Sequence, residues 1–268
     1  MTYRLGVIGG GVLAEALVKG LLSEHLYAPA EILVSHPRPD RRQYWQDTYG
    51  VAVSSENRAA AAATEVVLVA VKPQQFSQVT PALSQIHPQT VVVSVLAGVA
   101  LATLEQAVPG AAWVRAMPNT PVQVRAGITA LAWGSRVNEM QKQWVERLFL
   151  AVGQVVAVPE SYLNGVTALA GSGPAYVAAL LEGLIDGGVL VGLPRPLATQ
   201  LTLQTVAGTV ALLQQQGITP AELKAQVMSP GGTTAAGLLS LETQGVRGWL
   251  MQTVQAAYQR AQALGQTA

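Results

Sequence analysis

Residues 4–14 read RLGVIGGGVLA and determine the fold of the first part of the chain. An apolar run at 4–8 is followed by three glycines and then by apolar residues at helical spacing, which predicts a strand, a tight turn and a helix. In this G-x-G-x-x-A pattern, Gly9 permits the turn, Gly11 lets a pyrophosphate approach the backbone, and Ala14 allows close helix–strand packing. Unpaired N–H groups at the helix start favour bound phosphate. The stretch therefore predicts a dinucleotide site, although an ordinary glycine-rich turn has the same letters.

Strands and helices alternate outward from this unit up to about residue 160. Continuous β-branched runs such as 66–71 are typical of strands buried on both faces of a sheet. The alternation predicts an α/β, Rossmann-like, doubly wound parallel domain over residues 1–160. The predicted strands cover 4–8, 31–34, 51–53, 66–71, 90–95, 112–115, 128–133 and 155–158, and the predicted helices cover 12–24, 40–49, 57–63, 74–86 and 138–152.

Residues 161–268 follow a different pattern. Helical spacing replaces the strand runs, and only eight side chains are charged. A helical half so poor in charge is either embedded in a membrane or buried against a partner. Glu182 and Asp186 lie in the middle of the apolar stretch 174–193, where lipid would penalise them. We therefore predict an all-α oligomerisation domain buried in an obligate oligomer, and a homodimer and a decamer are both compatible with it. Its predicted helices cover 161–168, 173–192, 195–216, 219–227, 232–243 and 245–264.

The composition excludes several classes of chemistry. The 268 residues include no cysteine, which removes disulfides, thiolate nucleophiles and cysteine-based metal sites. The three histidines lack the spacing of metal ligands, so no metal site is predicted. A formal net charge of +1 argues against nucleic acid or anionic membrane as a partner. No signal-peptide pattern is visible, and we expect a cytoplasmic protein.

The residues after the second predicted strand indicate which dinucleotide binds. An NAD site places Asp or Glu there to hydrogen-bond the ribose 2′-hydroxyl. This chain instead reads SHPR at 35–38, with Arg41 and Arg42 behind. Three arginines and no carboxylate at the strand end favour a 2′-phosphate, so NADP is predicted, with NADPH preferred over NADH. A solvated arginine face is the alternative, and it suits Arg42 better than Arg38.

The segment SPGGTT at residues 229–234 predicts a second anion site. Proline and glycine form a turn directly before a predicted helix, whose first N–H groups have no helical partner and can bind a carboxylate. Thr233 and Thr234 add hydroxyl groups. The alternative is that these threonines simply cap the helix, and the residues alone leave both interpretations open.

The segment SPGGTT resembles the pyrroline-5-carboxylate reductase family, and so do four other segments: AVKPQ at 70–74, RAMPNTP at 115–121, AGSGPAY at 170–176 and GLPR at 192–195. The resemblance extends over essentially the whole chain. The sequence departs from the family at Val12, where asparagine is usual. The cofactor-binding residues that the motifs and this resemblance imply are Gly9, Gly11, Val12, Leu13, Ser35, Arg38, Asn57, Ala70, Val71, Lys72, Pro73 and Asn119. The substrate-binding residues so implied are Val227, Gly231, Gly232, Thr233 and Thr234.

The resemblance implies reduction of L-1-pyrroline-5-carboxylate to L-proline, the last step of proline biosynthesis, by hydride transfer from NAD(P)H. Thr234 is the candidate catalytic residue, because its hydroxyl could relay a proton to the ring nitrogen. Two alternatives stay open: a broader NADP-dependent cyclic imine reductase, since ring size depends on pocket shape, and a non-catalytic NADP-binding protein. A lysine-dependent β-hydroxyacid dehydrogenase is disfavoured, because Lys224 is the only lysine after residue 150.

Overall fold

The strands predicted along the first part of the chain form one sheet of eight strands within the described residues. The computed structural model describes residues 3–84 and 86–266. The order across the sheet places the first strand inside it, with later strands added outward on both sides, so the predicted doubly wound fold is confirmed. The strands, in the order β3-β2-β1-β4-β5-β6-β7-β8, are β1 (Leu5–Ile8), β2 (Ile32–Ser35), β3 (Ala52–Ser54), β4 (Val66–Val69), β5 (Val91–Ser94), β6 (Ala112–Pro118), β7 (Gly127–Trp133) and β8 (Gly153–Ala157).

The link between β6 and β7 departs from the predicted parallel sheet. Strands β1 to β6 pair in parallel, whereas β7 runs antiparallel to β6, and β8 is again parallel to β7. A parallel crossover needs about a dozen residues or more, and only residues 119–126 join β6 to β7. The short link therefore forces the chain to return antiparallel.

Helices cover both faces of the sheet and build two apolar cores. Val7 of β1 packs in one core with Leu17, and Ile8 packs in the other with Phe76. The helix at Leu101–Ala107 was not predicted, because it has only seven residues and no capping side chain. The helices of this part are α1 (Val12–Ser23), α2 (Pro39–Tyr49), α3 (Asn57–Ala61), α4 (Phe76–Leu83), α5 (Leu101–Ala107) and α6 (Glu139–Leu150).

The remaining helices match the six predicted segments. They are α7 (Leu163–Val166), which continues into a π-helical turn at Thr167–Gly171, α8 (Gly173–Leu190), α9 (Arg195–Gln216), α10 (Pro220–Val227), α11 (Thr233–Thr243) and α12 (Val246–Gln266). The chain forms two compact units: residues up to Ser172 with those from Ala257, and Gly173–Ala256. The predicted functional boundary at residue 160 does not coincide with these units and stays a prediction.

The helical unit buries very little of its own apolar surface. Between residues 173 and 256, all of which the structure describes, only Ala198 is buried. Leu190 is 87% exposed and Trp249 71% exposed. The continuous helical segment Glu160–Leu190 is long and apolar enough to cross a membrane by length and composition, and 6% of its most apolar stretch is buried. Exposed apolar surface on this scale marks an interaction surface.

Candidate functional site

The glycine-rich turn after β1 has the conformation that its sequence predicts. Gly9 adopts φ +98°, and a Cβ there would lie 2.6 Å from the Ala70 carbonyl oxygen. The Gly9 N–H donates to the Ser35 carbonyl at 3.0 Å. A Cβ on Gly11 would meet nothing within 4 Å. The backbone therefore requires glycine at position 9, whereas Gly11 leaves open space in front of the helix.

Helix α1 begins directly after this turn with unpaired N–H groups. Gly11 is its N-cap and supplies no capping side chain. The first helical bond runs from the Glu15 N–H to the Gly11 carbonyl at 2.9 Å, so the N–H groups of Val12, Leu13 and Ala14 have no partner within the helix. These groups and the positive end of the helix dipole suit a bound phosphate.

A cavity of about 550 Å³ opens at this turn and brings together most of the predicted cofactor residues. No carboxylate is among its described lining residues, whereas Arg38 and Lys72 contribute positive charge. The cavity therefore suits an anionic ligand. The predicted residues that line it are Gly9, Gly11, Ser35, Arg38, Asn57, Ala70, Val71 and Lys72.

Seven lining residues were not among the predicted cofactor residues. Three of them directly adjoin predicted ones, namely Gly10, His36 and Pro37, and four lie elsewhere, namely Ser55, Gln75, Gln78 and Val79. Ser55 follows β3 just as His36 follows β2. Ligands bind at the carboxyl ends of parallel strands, so this rule would have found Ser55. Gln75, Gln78 and Val79 lie on the turn and helix after Lys72, where the sequence carries no comparable signal.

The end of β2 is fixed beside the cavity by side-chain hydrogen bonds. Ser35 is fully buried, and its hydroxyl donates to Asn57 Oδ1 at 2.9 Å. The next residue, His36, accepts at Nδ1 from the Arg38 N–H at 3.2 Å. Burial lowers the pKa of His36, and the charge of Arg38 adds to this, outweighing the hydrogen bond. His36 is therefore neutral at pH 7 and adds no charge to the cavity.

Two of the three arginines predicted beside the 2′-phosphate are bound elsewhere. Arg41 donates from Nε to the Gly10 carbonyl at 2.8 Å and forms an ion pair with Glu15. Arg42 donates to two carbonyls of the preceding loop, at 2.8 and 2.7 Å. Of the three, only Arg38 lines the cavity. Arg38 therefore stays the candidate for a 2′-phosphate, whereas carbonyls and a carboxylate already bind the guanidinium groups of Arg41 and Arg42.

The carboxylate of Glu15 holds α2 against the start of α1. Besides Arg41, it accepts from the hydroxyls of Tyr44 at 2.6 Å and Tyr49 at 2.9 Å. Trp45 Nε1 donates at 3.2 Å to the same carbonyl that Arg41 contacts. Burial alone would raise the pKa of Glu15, but the bonds from Tyr44, Arg41 and Tyr49 lower it overall. An ionised Glu15 therefore helps to keep the glycine-rich turn in place.

Replacing Glu15 by glutamine is expected to lower the free energy of unfolding by about 1–2 kcal/mol at pH 7, because hydrogen bonds to a charged group are lost. Since the folded pKa is lowered, the carboxylate stabilises the fold above its unfolded pKa of about 4.3. That contribution is lost as the pH falls through the folded pKa. Urea unfolding from neutral to acidic pH, at fixed protein concentration, measures both effects.

The matched control is Glu139→Gln, which alters an exposed carboxylate paired with Lys142 at 3.1 Å. A pair of this kind contributes little, so its unfolding free energy is expected to change by less than about 0.5 kcal/mol. A Glu15→Gln deficit that stays constant as the pH falls would contradict the role of the Glu15 charge.

Four predicted cofactor residues do not line the cavity. Val12 and Leu13 contribute backbone N–H groups, as described above. Pro73 begins a 3-10 turn, Pro73–Gln75, and lines a separate cavity of about 470 Å³. Asn119 follows β6, and its Oδ1 accepts from the Ile128 N–H at 2.9 Å, which braces the β6–β7 link.

The segment 229–234 forms a turn directly before α11. The Gly232 N–H donates to the Ser229 carbonyl at 3.0 Å, and Gly231 adopts φ +68°. This is a type II β-turn with proline at its second position. Gly232 is the N-cap of α11, and Thr233 is the first helical residue. The threonines therefore do not cap this helix, which removes the simpler of the two readings.

The start of α11 leaves N–H groups available for an anion. The N–H groups of Thr233, Thr234 and Ala235 have no partner within the helix, and Gly232 supplies no capping side chain. Val227, the last residue of α10, is 58% exposed. Among the described residues, no group of three or more His, Cys, Asp or Glu side chains could hold a metal ion. The turn offers a cradle of backbone donors for a small carboxylate.

The doubly wound sheet and the cavity at its glycine-rich turn define a dinucleotide-binding protein of the Rossmann type. A family described as NADP oxidoreductase coenzyme F420-dependent matches residues 4–98, and one described as pyrroline-5-carboxylate reductase dimerisation matches residues 160–264. A pyrroline-5-carboxylate reductase of Synechocystis is 49% identical over 265 residues, which is 99% of each chain. The chain belongs to the pyrroline-5-carboxylate reductase family, and the resemblance seen in the sequence is confirmed.

Solved structures agree over the full length. A pyrroline-5-carboxylate reductase of Coxiella burnetii superimposes with a TM-score of 0.91 at 34% identity, covering 98% of this chain and 99% of that one. The Plasmodium falciparum pyrroline carboxylate reductase, solved with NADP bound, has a TM-score of 0.88 at 30% identity and covers 98% of both chains. The α/β fold followed by a helical dimerisation region is thus shared with these relatives.

Proposed function

We propose that this chain reduces L-1-pyrroline-5-carboxylate to L-proline with NADPH, the last step of proline biosynthesis. The observation that carries the proposal is membership of this family along the whole chain. The cavity at the glycine-rich turn supplies the dinucleotide site that such a reductase needs. The small turn before α11 supplies donors for a substrate carboxylate.

NADP fits the cavity on three observations. The space in front of Gly11 is open, the first N–H groups of α1 are unpaired, and the lining is cationic without a carboxylate. The N–H groups of Val12 and Leu13 would hold the pyrophosphate and Arg38 the 2′-phosphate. Pro73 and Asn119, which follow β4 and β6, remain candidates for the nicotinamide end. When bound, NADPH supplies the hydride that reduces the imine carbon.

The residues of the second site would position the substrate. The unpaired N–H groups of Thr233 and Thr234 would bind its carboxylate, with Gly231 and Gly232 shaping the turn and Val227 contacting the ring. The Gly232 N–H, which was also expected to bind the carboxylate, already donates to the Ser229 carbonyl. The Thr234 hydroxyl would hydrogen-bond the ring nitrogen and relay a proton to it. The carbon of the protonated C=N bond would then accept the hydride, and the nitrogen would become an amine. A protonated imine is already electrophilic, so positioning contributes most of the protein's share of catalysis.

A spectrophotometric assay tests this function. Purified protein is mixed with NADPH or NADH and racemic 1-pyrroline-5-carboxylate, beside a six-membered cyclic imino acid as the comparison substrate. The proposal expects rapid loss of NADPH absorbance with the five-membered ring and slower loss with NADH. Equal turnover of both rings would favour a broader imine reductase. Cofactor binding without turnover of either ring would favour a non-catalytic NADP-binding protein.

We also propose that the two parts of the chain have different roles. Residues 1–160 would bind the cofactor, and 161–268 would bind substrate and mediate self-association in the cytoplasm, without nucleic acid or membrane as a partner. The exposed apolar surface between residues 173 and 256 supports self-association. Among closed assemblies, a homodimer or a decamer built of dimers suits this chain.

Native mass spectrometry of the full chain is expected to show dimers or higher even-numbered assemblies and no stable monomer. Because the exposed surface is apolar, the assembly should persist from low to high ionic strength. Static light scattering under the same conditions provides the control in solution. A monomer at micromolar concentration would contradict the proposed self-association.

A further inference from the structure

Arg38 is held by a neighbouring carboxylate at the point where a 2′-phosphate would bind. Its Nε lies 3.2 Å from Asp40 Oδ1, and its Nη2 lies 2.7 Å from Asp40 Oδ2. This is the two-point geometry with which a guanidinium also binds a phosphate. Both side chains are exposed, at 67% and 69%. The pair can therefore open without disturbing the core.

The other two nearby arginines cannot take over this role without breaking structural contacts. Arg41 is bound to the Gly10 carbonyl and to Glu15, and Arg42 to two loop carbonyls. Of the three arginines, only Arg38 is paired with a side chain that is itself exposed, that of Asp40. A phosphate on the adenosine ribose would therefore have to compete with Asp40 for Arg38.

We propose that Asp40 is a specificity-determining residue that lowers the preference for NADPH over NADH by competing with the 2′-phosphate for Arg38. This inference rests on the proposed cofactor site. The hydrogen bond from Arg38 holds the pKa of Asp40 below its usual value, so the competitor is ionised at pH 7. NADH carries no 2′-phosphate and leaves the Arg38–Asp40 pair intact. The competition therefore acts on one cofactor only.

The first test measures binding without any turnover. Calorimetric titration of the full-length protein with adenosine 2′,5′-bisphosphate and with 5′-AMP compares ligands that differ only in the 2′-phosphate. Asp40→Asn is expected to tighten binding of the bisphosphate by about three- to tenfold. This is the range expected when Arg38 no longer has to leave an exposed ion pair and a residual repulsion between Asp40 and the phosphate is removed. Binding of 5′-AMP should stay the same. An unchanged ratio between the two ligands would overturn the proposal.

The matched control is Asp47→Asn. Asp47 lies on the same helix, α2, and accepts from Gln43 Nε2 at 2.8 Å. The Asp47→Asn substitution changes the net charge of the protein by the same amount as Asp40→Asn, so it reports any general electrostatic effect. The proposal expects no change in the ligand ratio for this variant. A gain equal to that of Asp40→Asn would mean that net charge, and not the Arg38 contact, sets the affinity.

A double-mutant cycle tests whether Asp40 acts through Arg38. In an Arg38→Ala background, Asp40→Asn should lose most of its effect on bisphosphate binding. Retention of the full effect would mean that Asp40 repels the phosphate directly, which overturns the competition. If the wild-type chain binds neither nucleotide, the cofactor site itself fails. If it binds and reduces the imine while the Asp40→Asn ratio is unchanged, only this inference fails.

Discussion

Gly11→Ala is expected to fold as the parent chain does and to raise the KM for NADPH by about tenfold to a hundredfold, because the new methyl group displaces the reacting ligand. Gly11 has φ −77°, which alanine adopts without strain, and its Cβ would meet no atom within 4 Å. The same open space is where a pyrophosphate approaches the backbone in this turn. Steady-state kinetics and thermal unfolding of the variant measure the two effects separately.

Two other glycines provide the comparison. Gly9→Ala should destabilise the fold, because Gly9 has φ +98° and its Cβ would lie 2.6 Å from the Ala70 carbonyl oxygen. Gly165→Ala is the neutral control, since Gly165 also faces open space and has no positive φ. An unchanged KM for NADPH in Gly11→Ala would mean that the pyrophosphate does not bind at this turn.

Thr234→Ala is expected to lower kcat by about a hundredfold, the lower end of the range for a positioned proton donor. The KM for the imine should change much less, because the backbone N–H groups that would hold the carboxylate remain. Thr234→Ser keeps the hydroxyl and should recover most of the activity. Stopped-flow measurement of NADPH oxidation separates the chemical step from product release.

Thr243→Ala is the matched control for this experiment. Thr243 lies on the same helix, α11, and its hydroxyl donates to the Leu239 carbonyl at 2.8 Å. Its loss should leave both kinetic constants unchanged. If Thr234→Ala raises only the KM and leaves kcat intact, the hydroxyl binds substrate and does not relay a proton.

The fold could be predicted well from hydrophobic periodicity. Buried parallel strands such as β4 read as continuous β-branched runs, and long helices such as α9 carry clear start and stop signals. Short elements gave weaker signals, so α5 was missed. The strand predicted over 66–71 ends at Val69, and the two residues beyond it, Ala70 and Val71, line the cavity.

The conformation of the candidate site could be predicted where the backbone alone defines it, whereas the partners of its charged side chains could not. Gly9 and Gly11 could be assigned from spacing, because the turn and the helix start are local features. Arg41 and Arg42 were assigned from proximity along the chain. Their actual partners include Glu15 and the Gly10 carbonyl, which lie far away in sequence and meet α2 only in the folded protein.

The sequence alone determined the doubly wound domain, the helical second half, the dinucleotide turn and the family. These features depend on periodicity, on glycine at required positions and on contiguous motifs, all of which are local. Only the tertiary structure decided that β7 returns antiparallel, that Gly232 rather than a threonine caps α11, and that Arg38 alone of the three arginines lines the cavity while paired with Asp40. The physical reason is that a charged side chain binds whichever partner folding places within reach. Strand direction likewise depends on whether the link between two strands can span a parallel crossover in the folded sheet.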